Sequence, residues 1–226
     1  MNMEDSPLML QDRERQADKI VARPNLCKTL TKCAMDMAAK TVWPIQVEGA
    51  DNLPEKGPYL LATNHERITD PLFFGALLFP EPLHFVAKTE LFGWPVFGWY
   101  IKQLDAMPVD RNNPGLSFFR QVKGVLEDDG VVAIFTNGTR SKNLEPSAEP
   151  KSGAGYFSAK HGAPLVPGAI IYEKRLTIMR FAEPIYPEPV SNRKELDAAA
   201  EYLNTRVNED IQRLLGGTGL IQSQHR

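Results

Sequence analysis

From Val42 onward, short apolar runs alternate with turns punctuated by Gly and Pro and with longer stretches whose apolar residues recur every three or four positions. The short runs predict strands near 43–48, 58–63, 83–88, 104–109, 131–136, 165–172 and 175–181. The longer stretches predict helices near 70–79, 95–102, 114–128, 152–161 and 192–215. This alternation argues for an α/β fold with a mixed central sheet flanked by helices. The last helix carries Leu196, Leu203, Val207, Ile211 and Leu214 on one stripe, the pattern of ordinary core packing, and Gly216-Gly217-Thr218-Gly219 reads as its stop.

Ahead of the sheet, residues 9–22 are charged and helix-prone, and a second segment, 25–40, follows Pro24. There Leu26, Leu30, Cys33, Ala34 and Met37 stand three and four apart. An amino-terminal helical pair over 1–41 is expected, followed by a single domain over 42–226. The second helix has two readings: its apolar stripe covers the core, or it touches a membrane surface, with Lys28, Lys32 and Lys40 as a thin basic complement.

A chain of 226 residues, 42% hydrophobic, can bury one sizeable core, and its net charge of -2 gives no chain-wide electrostatic footprint for nucleic acid. Cys27 and Cys33 are six apart, about 9 Å between Cα atoms on a helix, beyond disulfide reach. Two unpaired thiols point to a reducing cytosol. The amino terminus, with Glu4 and Asp5, lacks the cationic start and apolar stretch of a signal peptide, and no window approaches the roughly 20 apolar residues of a membrane span. The expectation is a cytoplasmic protein, soluble or peripheral on the inner face of a membrane.

Candidate chemistry concentrates where the apolar run Leu60-Leu61-Ala62-Thr63 enters the polar turn Asn64-His65-Glu66-Arg67-Ile68-Thr69-Asp70-Pro71. On a continuous helix His65 and Asp70 would lie about 140° apart, too far to meet. They meet only if the chain bends between them. Asp70 followed by Pro71 supplies a bend, reading as an N-cap and first helical residue before Leu72, Phe73, Phe74, Leu77 and Leu78. Taken singly, Asp70 is equally a helix cap and His65 a loop histidine.

Asn64-His65 with Asp70 matches the N-H-x4-D motif, and three later stretches follow in order. The first is Lys88-Thr89-Glu90-Leu91-Phe92-Gly93-Trp94-Pro95 with Gly98 and Val109-Asp110-Arg111. The second is Phe135-Thr136-Asn137-Gly138-Thr139-Arg140-Ser141. The third is Lys151-Ser152-Gly153-Ala154, with Ala163-Pro164-Leu165-Val166-Pro167-Gly168 beyond it. Together they resemble the four blocks of the glycerolipid acyltransferase family, the group of the 1-acylglycerol-3-phosphate acyltransferases, over roughly residues 45–185. Two departures stand out. Asp105 occupies a position where that family usually has glycine, and Thr136 and Asn137 replace the proline and glutamate of its F-P-E-G-T-R-S block.

On physical grounds Arg111, at a strand end before Pro114, can grip a phosphate in a bidentate way or sit in an exposed pair with Asp110. Arg140 is a solvated turn residue or, as the resemblance implies, a phosphate ligand. Asn137, Gly138 and Thr139 fall in the family's acceptor-binding block. The glycine-containing helix start after Lys151 can receive an anion on free amides or be a simple cap. The aromatic cluster Phe92, Trp94, Phe97, Trp99 and Tyr100 is core packing, an acyl-chain wall or a membrane-facing patch.

An imidazole oriented by a carboxylate is a general base. His65 and Asp70 are accordingly the catalytic candidates, and Asn64, Arg111, Asn137, Gly138, Thr139, Arg140 and Lys151 the substrate-binding ones. No nucleophile elbow, zinc-ligand spacing or P-loop is present, which favours direct transfer without an acyl-enzyme. The resemblance implies a fatty acyl donor carried by CoA or acyl carrier protein, no resident cofactor, and a lysolipid acceptor such as lysophosphatidate. The alternatives are an acyltransferase with a changed alcohol or amine acceptor and a catalytically silent lipid-binding protein.

Overall fold

Strands with unbroken apolar runs are the ones a parallel sheet buries on both faces, and Tyr59–Thr63, Val131–Phe135 and Leu165–Glu173 take the middle of the sheet. The computed structural model describes residues 25–41, 43–81, 83–110, 113–136 and 153–216. Along them the chain forms α1 (Leu26–Thr41), β1 (Ile45–Glu48), β2 (Tyr59–Thr63), α2 (Asp70–Leu78), β3 (Leu83–Lys88) and α3 (Pro95–Gln103). Then follow β4 (Met107–Val109), α4 (Leu116–Glu127), β5 (Val131–Phe135), α5 (Ala154–His161), β6 (Leu165–Glu173), β7 (Leu176–Phe181) and α6 (Arg193–Gly216).

The seven strands form one mixed sheet in the order β1-β7-β6-β2-β5-β3-β4. β2 runs parallel to both neighbours, with Leu60 opposite Val132 and Leu165, while β6 and β7 make an antiparallel hairpin. Alternation along β2 divides the core. Leu60 and Ala62 face Val122, Phe157, Leu203, Val207 and Ile211 of α4, α5 and α6, and Tyr59 and Leu61 face Met35, Phe73, Phe74 and Leu104 on the side of α1, α2 and α3. The stripe expected of the last helix is buried from Leu203 to Leu214, with Leu196 packed at its edge.

Three expectations change. The strand expected over 104–109 begins only at Met107, because Leu104 closes α3 and Asp105 turns the chain through a left-handed φ of 57°. Such a φ suits glycine; here Lys28 of α1 pairs with the Asp105 carboxylate.

The stripe read on α1 does not cover the core. Leu26, Leu30 and Met37 are 75%, 59% and 66% exposed, and Met35 is the buried residue. Polar contacts set this rotation: Asn25 Nδ2 donates to the Gln103 carbonyl, Lys28 pairs with Asp105, and the Thr31 and Tyr100 hydroxyls meet at 3.0 Å. The aromatic cluster is likewise not all core, since Trp94 and Trp99 are exposed. The helix expected over 9–22 and the tail after Gly216 lie outside the described residues.

Candidate active site

In open α/β sheets ligands bind beyond the carboxyl ends of the parallel strands, and here the ends of β2, β5 and β6 converge. β2 stops at Thr63, whose carbonyl accepts the Thr136 amide at 2.9 Å as the chain leaves β5. One residue on, Asn64 is 2% exposed and extends the ladder with its side chain. Its Nδ2 donates to the Ile170 carbonyl at 2.9 Å, and its Oδ1 accepts the Ile170 amide at 2.8 Å. Both ends of the Asn64 amide are therefore engaged by the β6 backbone, a clamp that fixes where the loop after β2 begins.

His65 follows on that loop, its ring against Phe135 of β5 with centroids 4.4 Å apart. Asp70 is fully buried at the start of α2. Its carboxylate does not cap the helix: the amides of Leu72 and Phe73 bond to the Thr69 carbonyl, and Thr69 is the capping residue. The Asp70 side chain turns back instead. Oδ2 lies 2.9 Å from His65 Nδ1 and accepts the amides of Glu66 and Arg67 at 2.7 and 2.9 Å, while Oδ1 accepts the Tyr172 hydroxyl at 2.5 Å. The bend anticipated between His65 and Asp70 is thus held by the carboxylate itself.

A carboxylate facing Nδ1 selects the imidazole tautomer with its proton there, leaving Nε2 as the basic nitrogen. Burial, then the nearby Asp70 charge and its hydrogen bond, push the Tyr172 hydroxyl well above its usual range, so it stays a proton donor to Asp70. Burial, then Asp70, also raise the Glu66 carboxyl, while Arg67 opposes the rise. The Arg67 guanidinium lies over the Tyr172 ring, 3.7 Å from its centroid.

The structure brings Asn64, His65 and Asp70 together. Arg111, Asn137, Gly138, Thr139, Arg140 and Lys151 lie outside the described residues. At the start of α5, one amide suggested for an anion is already taken, since Gly155 donates to Asn204 Oδ1 at 2.8 Å. Gly155 is needed there because a Cβ would stand 2.4 Å from the Ala200 carbonyl oxygen of α6. Sequence reasoning missed Tyr172, Phe135 and the role of Arg67. Tyr172 is 102 positions from Asp70, and only the register of β6 against β2 brings them together.

A family model described as Acyltransferase matches residues 44–171. The chain belongs to the acyltransferase family. The acyltransferase is 30% identical over 176 residues to a 1-acyl-sn-glycerol-3-phosphate acyltransferase of Bacillus subtilis, covering 73% of this chain and 87% of that one. It is 28% identical to the Streptococcus pneumoniae protein of the same name, of which it spans 63%. The crystal structure of the 1-acyl-sn-glycerophosphate acyltransferase from Thermotoga maritima shares the fold, with a TM-score of 0.62 at 22% identity, covering 93% of this chain and 86% of that one.

Proposed function

We propose that this acyltransferase moves a fatty acyl group from an acyl-CoA or acyl-carrier-protein thioester to the free hydroxyl of lysophosphatidate, a step of phospholipid biosynthesis, with His65 as general base. The pairing of His65 Nδ1 with the buried Asp70 carboxylate at 2.9 Å is the observation that carries this reading. Nε2 takes the hydroxyl proton as the acceptor oxygen attacks the thioester carbonyl, and Asp70 stabilises the imidazolium that forms. Collapse of the tetrahedral intermediate breaks the carbon–sulfur bond, and the thiolate recovers the proton from His65. The similarity to two bacterial proteins named for 1-acyl-sn-glycerol-3-phosphate supports the acceptor.

A lipid acceptor calls for access to a membrane surface. Among the described residues no helix is long and apolar enough to cross one. The exposed apolar side chains Leu26, Leu30 and Met37 of α1, with Trp94, Val96 and Trp99 at α3, support peripheral contact, in keeping with a cytoplasmic enzyme on the inner membrane face. A cleft between α1 and α2, apolar along Leu72, Ala76, Phe79 and Phe85 and polar along Lys28, Thr31 and Lys32 of α1, supports a place for an acyl chain.

Thr136 and Asn137, which depart from the family block, favour one second reading, an acyltransferase with a changed acceptor. Thiol release and product mass with lysophosphatidate, monoacylglycerol and soluble alcohols or amines, each with acyl-CoA and acyl carrier protein, separate the two. Transfer to lysophosphatidate above the other acceptors is expected. Transfer only to a phosphate-free acceptor overturns the proposal.

A further inference from the structure

The loop between β2 and α2 carries a cation that general-base chemistry does not call for. Arg67 is exposed, yet it is held at both ends. Its amide donates to Asp70 Oδ2 at 2.9 Å, and its guanidinium rests 3.7 Å from the centroid of Tyr172, whose hydroxyl is bound to the other oxygen of the same carboxylate. Phe73 buttresses that ring edge-on at 6.3 Å. A guanidinium held over an aromatic face uses its π surface for that contact, and its N–H groups are the ones that grip phosphate in a bidentate way.

Arg67 and His65 are organised by the same carboxylate, the imidazole on Asp70 Oδ2 and the tyrosine beneath the guanidinium on Oδ1. Among the described residues no carboxylate lies within ion-pair distance of the Arg67 guanidinium. Its charge acts on Glu66 and Tyr172, and the Glu66 carboxyl is itself raised by burial and by Asp70. The attacking hydroxyl of a lysophosphatidate and its phosphate monoester are separated by only a few bonds, so a base and a phosphate ligand on one short loop suit a single acceptor molecule.

We propose that Arg67, stacked on Tyr172 beside the His65–Asp70 pair, is a ligand for the phosphate of the acceptor and selects phosphate-bearing lysolipids over neutral ones. This rests on the acyltransferase reading above and adds to it a residue that lies inside the N-H-x4-D stretch without being one of its named positions. A CoA donor also carries phosphates, and the two sources are separable by titrating each alone.

The test compares the intact protein with Arg67→Ala and Arg67→Lys, first by equilibrium binding without turnover and then by kinetics. Binding of lysophosphatidate, of monoacylglycerol and of CoA is titrated separately. Arg67→Ala should weaken lysophosphatidate about ten- to a hundredfold, the range of one charge-assisted contact to phosphate, with Arg67→Lys in between and the other two ligands unmoved. The KM for lysophosphatidate should rise in parallel. Unchanged lysophosphatidate affinity, weakening of CoA instead, or equal weakening of the phosphate-free lipid would each overturn the assignment. Binding that depends on Arg67 in a protein that transfers no acyl group would uphold it and overturn only the acyltransferase mechanism. Transfer to lysophosphatidate that ignores Arg67 would do the reverse.

Discussion

Asp70 shows how a single residue sets the chemistry of the loop. Its carboxylate gathers donors from His65, Glu66, Arg67 and Tyr172 while being fully buried. Asp70→Asn keeps the shape but removes the charge that stabilises an imidazolium. Turnover should fall by about 10²-fold or more, and disturbing the buried bonds should cost about 1 to 3 kcal/mol of stability. Steady-state kinetics and a melting curve on the purified variant check both; wild-type turnover would leave Asp70 a structural hub alone. The pairing of His65 with Asp70 was legible through the resemblance to the N-H-x4-D motif, with the bend before Pro71 making it sterically possible. The carboxylate's direction was not, because an aspartate before a proline reads as a cap and only the fold shows it facing backwards onto the amides of Glu66 and Arg67. The Asn64 clamp was hidden for a similar reason, since its partner Ile170 is 106 positions away.

At the scale of elements, strands and helices were legible because each buried segment carries its own period. Misreadings fell where polar contacts override it. On α1 the apolar stripe allowed an inward or a membrane-facing side, and Asn25, Lys28 and Thr31 decide against the inward one by anchoring the opposite side to α3 and the turn after it. His84 of β3 lies buried beside this anchor, and burial lowers its pKa to about 4, with Asp105 opposing and Lys28 assisting the shift. The folded protein therefore holds His84 neutral while the unfolded chain binds a proton near the ordinary value of about 6.5. Its contribution is complete above that pH and is lost as pH falls toward 4, by at most about 3 kcal/mol in all. Melting temperature measured from pH 7 to pH 4 should drop less steeply in His84→Phe than in the native protein. Parallel curves would show that His84 is not a source of the acid sensitivity.

Across the whole molecule, the sheet order places the ends of β2, β5 and β6 side by side. The order itself was not legible, because periodicity distinguishes a strand from a helix but does not say which strand lies beside which. The activity proposed for this assembly is acyl transfer to lysophosphatidate with His65 as base. Its most direct test is thiol release with lysophosphatidate as acceptor, measured side by side for the native protein and His65→Ala, with melting curves to confirm that both are folded. Robust release is expected from the native protein and a loss of about 10²- to 10⁴-fold in the variant, with little change in melting temperature. A folded His65→Ala protein that turns over lysophosphatidate at the native rate would contradict it.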